Sequence, residues 1–199
     1  MNNLKVLVMT SRIFPHLPIL YTVFYMALPR ALFVPLMTLW TLAFGVFEFL
    51  RIRRPEINTR FLHEWKEFYV PSEALHPSRF FWAAFGCWLT IIIFNGSKIV
   101  VMALGLLAFG KEAALWGGQK WGKTVWPQNP QKSMEGSACF VLVCLVWGIV
   151  AVRLRWPVAL LGSLAGAWIE AERWQWPNAI VLPLLGGLVL SVLNLFLGR

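Results

Sequence analysis

The chain has 199 residues, 58% of them hydrophobic and 14% charged, with a net charge of +9 and a mean hydropathy of +0.64. That composition excludes an ordinary soluble domain, and continuous apolar runs without strand-like alternation exclude a membrane β-barrel in favour of helices. The positive charge does not point to nucleic acid, because the basic residues are divided among short segments between apolar runs, the pattern that sets membrane topology.

A spanning helix needs about 20 mostly apolar residues. In chain order, the first apolar run covers residues 13–28 and carries Pro15 and Pro18. Residues 31–50 form the next span, with Pro35 near one end. Residues 51–79 are polar and read as a cytoplasmic loop or surface helix, followed by a span over 80–94 and a turn at Asn95-Gly96-Ser97. From Lys98 the purely apolar stretch ends at Gly110, after about 12 residues, too few to cross. Continuing the helix through Trp116 gives about 19 and brings Lys111 and Glu112 to headgroup depth, where ionisable groups are functional candidates. Further spans cover 138–152, 157–169 and 178–197. The expectation is an all-α integral membrane protein, with about seven transmembrane helices in one bundle making a single domain over residues 1–199. A polar Gly/Lys-rich loop, 111–137, separates spans four and five. Thirteen of the 18 lysines and arginines then fall on one side with the N-terminus and both polar loops, which predicts that side to be cytoplasmic, at the inner membrane in a bacterium.

The chain has no aspartate, so any carboxylate chemistry belongs to its nine glutamates. Cys87, Cys139 and Cys144 lie in apolar runs without a CxxC spacing and read as packed free thiols. Segment 111–137 is KEAALWGGQKWGKTVWPQNPQKSMEGS, which combines Gly117, Gly118, Gly122 and Gly136 with Lys120, Lys123, Lys132, Glu112 and Glu135. Glycine allows close backbone approach, lysine contacts phosphate, and carboxylates hold divalent cations. The set suggests a phosphate and metal site at a membrane surface. Gly117 to Thr124 also matches G-x-x-x-x-G-K-[ST], but a true phosphate loop follows a strand and opens a helix. Here a membrane helix precedes the match, and Pro127 and Pro130 follow it.

The segment Lys132-Ser133-Met134-Glu135-Gly136-Ser137 resembles the signature of the CTP-dependent membrane lipid kinases: dolichol kinase, phytol kinase, CTP-dependent diacylglycerol kinase and, more distantly, CDP-diacylglycerol synthase. Gly110, then Ala113-Ala114, then Gly118 to Lys123 resemble the small-residue and Gly-Lys stretch upstream of that signature. Glu48 and Arg51 resemble an early Glu-x-x-Arg, and Asn178 with Pro183 a late Asp-Asn-x-x-x-Pro. Two positions depart from the pattern: Lys111 and Pro177 stand where aspartates are expected.

The resemblance implies phosphorylation of a polyprenol, phytol or diacylglycerol with CTP as co-substrate and Mg²⁺. Two alternatives stay open: cytidylyl transfer making a CDP-lipid, or a non-catalytic binder that has lost its aspartates. The residues implied are Glu112, Lys132 and Glu135 for catalysis. Lys111, Gly118, Gly122, Lys123, Lys132, Ser133, Gly136 and Asn178 are implied for nucleotide binding. Glu112 and Glu135, with Glu48 and Glu170 as further candidates, are implied for metal. Ser137 is expected to cap the helix that follows.

Overall fold

The computed structural model describes residues 16–64 and 74–197. The start of the first expected span, residues 65–73 of the polar segment and two terminal residues lie outside this set. The described helices are α1 (His16–Ala27), α2 (Arg30–Arg53), α3 (Pro55–Glu64), α4 (Arg79–Ile93), α5 (Ser97–Trp121), α6 (Met134–Ala151), α7 (Trp156–Ala171) and α8 (Asn178–Leu197). A β-hairpin, β1 (Val125–Trp126) and β2 (Asn129–Ser133), separates α5 from α6.

A helix forms in each of the seven apolar regions, but seven spans are not supported. Only α2, α5, α6 and α8 are long and apolar enough to cross a membrane by length and composition. With 12, 15 and 16 residues, α1, α4 and α7 fall short of the roughly 20 that a perpendicular crossing needs. The molecule is thus an all-α membrane protein with four candidate spans among its described residues.

Local chemistry sets the helix ends. Ser78 caps α4 by accepting from Phe81 N–H at 3.1 Å. Pro157 sits in the first turn of α7, where no amide donor is needed. The helix α5 passes without a break through a π-helical turn at Leu106–Gly110 and stops at Gly122, whose backbone is extended.

Small residues set the helix packing, as they must where lipid supplies no hydrophobic drive between helices. A β-carbon on Gly86 of α4 would fall 2.2 Å from the Ala179 carbonyl oxygen of α8. One on Gly110 would fall 2.6 Å from both Cys144 Sγ and the Phe140 ring of α6, and one on Gly117 2.4 Å from Cys139 Sγ. The α5–α6 contact therefore runs along a stripe of Gly110, Ala114 and Gly117. All three cysteines are free thiols, and Cys87 and Cys144 are buried in the core.

Charged groups gather at two ends. At one, Arg30 donates to the carbonyls of Ile91 and Asn95, Lys98 to that of Arg153, and Arg155 to that of Leu197. At the other, Arg51 is fully buried and joins three parts of the chain. It donates to Glu48 Oε2 at 2.7 Å, to Asn58 Oδ1 at 2.8 Å and to the His76 carbonyl at 2.9 Å. Ser78 N–H also donates to Glu48 Oε2, while Asn58 Nδ2 donates to the Ala74 carbonyl. Glu48, Arg51 and Asn58 so tie the end of α2 and the short α3 to the start of α4. Arg79, at that start, lies within electrostatic range of Lys111 on α5, so both polar segments sit at the same end of the bundle.

Candidate functional site

Segment 111–137 is not a loop. Residues Lys111–Trp121 complete α5, the hairpin turns at Pro127-Gln128, and Met134 opens α6. Pro130 is tolerated because the sheet has only two strands and every residue is on an edge. Ser133, not Ser137, caps α6, accepting from Gly136 N–H at 3.1 Å. The Ser137 hydroxyl instead accepts from Trp126 Nε1 at 2.9 Å, fixing the hairpin against the first turn of α6. Asn129 Nδ2 donates to the Ala171 carbonyl at 3.0 Å, fixing the same hairpin to the end of α7.

Between these elements lies a cavity of about 290 Å³. Its wall combines Ala114, Leu115, Gly118 and Gln119 of α5, Gly122, and Val125, Pro130, Gln131, Lys132 and Ser133 of the hairpin. Gly136 and Ser137 of α6 and Glu170 of α7 complete it. The exposed apolar Leu115 and Val125 give it a greasy lip, whereas Lys132, Ser133, Ser137, Gln119, Gln131 and Glu170 give it a polar wall. The Lys132 ammonium bonds Glu170 Oε1; the lysine is 29% exposed and the carboxylate 1%. Lys111 lies within electrostatic range of both, as well as of Glu112 and Arg79. The charged groups in the wall itself are Lys132 and Glu170, paired with each other, and Lys111 acts on both from outside the wall.

The fold therefore brings Gly118, Gly122, Lys132, Ser133 and Gly136 onto one cavity wall and holds Lys111 close by. Lys123, Glu112, Glu135 and Asn178 are not among its lining residues. Both oxygens of Glu135 accept from Thr124 N–H, at 3.1 and 3.2 Å, so this carboxylate closes the loop before the hairpin. Asn178 Nδ2 donates to the Glu170 main-chain carbonyl at 3.4 Å. Gly136 is required by packing: a β-carbon there would fall 2.6 Å from the Ala114 carbonyl oxygen, so it lets α6 touch α5 at the cavity floor.

The four glutamates considered for magnesium do not assemble. Glu48 is bound by Arg51 and Ser78, Glu135 by Thr124, and Glu170 by Lys132, while Glu112 stands on α5 beside Lys111. Among the described residues no three His, Cys, Asp or Glu side chains come together to hold a metal ion. The donor set does not fit a protein-built magnesium centre. Sequence reasoning did not find Gln119 and Gln131 in the wall, and it gave Ser137 to capping ahead of phosphate contact. Nor did it find the Lys132–Glu170 pair, whose partners are 38 residues apart and share no motif.

No family model matches the chain, and no solved structure matches it significantly. A curated protein does: the chain is 29% identical over 124 residues to CTP-dependent diacylglycerol kinase 1 of Schizosaccharomyces pombe, an alignment covering 54% of this chain and 56% of that protein. The chain thus matches about half the length of the relative. This similarity bears out the resemblance to the CTP-dependent membrane lipid kinases that the segment Lys132 to Ser137 carries.

Proposed function

We propose that the chain phosphorylates a membrane lipid alcohol, of the polyprenol, phytol or diacylglycerol class, with CTP as phosphoryl donor, and that the cavity beside the hairpin holds the triphosphate. The observation that carries this reading is the placement of Lys132. It stands on a hairpin clamped to α6 through Trp126 and Ser137 and to α7 through Asn129, at the wall of a polar cavity that Ser133 and the buried Glu170 also line.

Phosphoryl transfer asks little covalent chemistry of a protein; positioning and charge stabilisation supply most of the rate. Lys132 meets the phosphate oxygens as a point charge, and Lys111 adds to the field behind it. The Ser133 hydroxyl and the main chain at Gly118 and Gly122 border the same space. The greasy lip of Leu115 and Val125 admits the lipid from the side. The lipid hydroxyl oxygen attacks the γ-phosphorus, the bond from that phosphorus to the β-phosphate oxygen breaks, and CDP leaves. Lys123, Glu112, Glu135 and Asn178, outside the wall, take supporting places in this reading rather than contact with the phosphates.

The test is transfer of label from γ-labelled CTP to a panel of lipid alcohols by the purified chain in mixed micelles with Mg²⁺. Label in the organic phase, with CDP as the soluble product, is expected. Pyrophosphate as the soluble product would show cytidylyl transfer instead, and CTP binding without turnover would show a binder.

A further inference from the structure

Glu170 has no partner motif in the sequence, yet among the described residues it is the sole carboxylate in the cavity wall. It is 1% exposed, and its Oε1 accepts from Lys132, the residue placed at the phosphates above. It occupies the C-terminal turn of α7, between buried Ile169 and Ala171. The charged groups facing it are Lys132 from the hairpin and Lys111 from α5. A buried carboxylate is held in place by its cation, and withdrawing the cation leaves a charge that must find a proton or a new partner.

Resting on the reading of the cavity as a CTP-dependent lipid kinase site, we infer that Glu170 is the general base for the lipid hydroxyl, and that Lys132 masks it until the triphosphate arrives. The phosphate oxygens compete with Glu170 for the Lys132 ammonium. As Lys132 turns to them, the carboxylate is exposed to the cavity, where the hydroxyl arriving past Leu115 and Val125 is the nearest proton donor. The hydroxyl proton passes to Glu170, its oxygen bonds to the γ-phosphorus, and CDP departs with the electron pair of the broken P–O bond. Glu170 then returns the proton to solvent, and Lys132 closes on it again. The device keeps the base neutralised when no nucleotide is bound, so that water has no activated partner at the site.

The experiment compares wild type, Glu170→Gln, Glu170→Asp and Lys132→Gln in mixed micelles containing diacylglycerol, measuring equilibrium binding of labelled CTP beside initial rates of label transfer. Glu170→Gln should bind CTP as tightly as wild type or tighter, because Lys132 is no longer held back, and should lose about 10²-fold or more in kcat, the usual contribution of a general base. Lys132→Gln should raise the KM for CTP and lower kcat together, since the lysine both meets the phosphates and stabilises their developing charge. Should Glu170→Gln fail to fold, Glu170→Asp keeps the ion pair while withdrawing the carboxylate by one methylene, and should lose at least about tenfold in kcat with CTP binding kept. Unchanged kcat in Glu170→Gln, or in Glu170→Asp where that is the folded variant, would overturn the assignment. So would loss of CTP binding in step with turnover, since that marks a purely structural carboxylate. Absence of transfer by the wild type refutes the kinase reading itself, and is thereby distinguished from failure of the Glu170 role.

Discussion

Replacing Gly136 by alanine tests whether the cavity depends on direct contact between α5 and α6. The added β-carbon would stand 2.6 Å from the Ala114 carbonyl oxygen, 3.0 Å from Ser133 Oγ and 3.3 Å from Gly118 N. Two of these three neighbours are backbone, so the helices must part by several tenths of an ångström. The same β-carbon also crowds Ser133 Oγ, the cap on Gly136 N–H. Overpacking of this kind costs about 1–3 kcal/mol, which in a chain of this size lowers the unfolding midpoint by roughly 2–12 °C. Gly118→Ala provides the control in the same wall. Its β-carbon meets only Ser133 Oγ, at 3.0 Å, a side-chain atom that gives by a few tenths of an ångström more readily than backbone does. Thermal unfolding in one detergent, followed by tryptophan fluorescence and by the reactivity of Cys139, should rank the proteins wild type, Gly118→Ala, Gly136→Ala in falling midpoint. A Gly136→Ala protein as stable as wild type, or less damaged than Gly118→Ala, would refute the packing argument.

Two further outcomes are expected. Arg51→Met should destabilise by about 3–5 kcal/mol, because Glu48 then keeps a buried charge without its cation; Glu48→Gln/Arg51→Met should recover part of that loss in the same melt, and an Arg51→Met protein as stable as wild type would contradict the buried network. Lys132→Ala should lower transfer from CTP by at least about 10²-fold, the scale of losing one charge-stabilising group, whereas Thr124→Ala should change it little because Thr124 lies outside the cavity wall and keeps the main-chain bonds to Glu135 and Met134; a silent Lys132 with a large Thr124 effect in the transfer assay would invert these roles.

The helical architecture was largely legible because apolar runs announce themselves: a helix stands in every region where hydropathy called for one. The spanning count was not, since a run of apolar residues does not say where prolines and turn residues clip the helix, as before Pro29 at the end of α1 and before Gly96 at the end of α4. Segment 111–137 shows a second limit. Its glycines suggested close approach by a ligand, but Gly117 and Gly136 are approached by a neighbouring helix. Both uses demand the same missing β-carbon, so the residue type alone does not separate them. The caps show a third. Ser133 and Ser137 are both good capping residues, and the choice fell to the earlier one because the hairpin delivers Trp126 to the later. Lys132 was visible as a cation beside glycine and serine; Glu170 reached it through tertiary packing of α7, which leaves no mark in local spacing.

The unequal lengths of α5 and α7 carry a consequence for the setting in which the protein works. With 25 and 16 residues, they extend about 37 and 24 Å, either side of a hydrocarbon layer of about 30 Å. A thicker bilayer relieves the long helix and strands the short one; a thinner bilayer does the reverse. Each responds by tilting or by drawing lipid around it, at a modest cost per ångström. The hairpin that carries Lys132 follows directly on α5 and is bonded to the end of α7 through Asn129, while Glu170 rides on α7, so acyl-chain length in the surrounding lipid bears on how the pair is held. Lipid thickness is thereby a mechanical input to the cavity, separate from the chemistry of whichever lipid enters it.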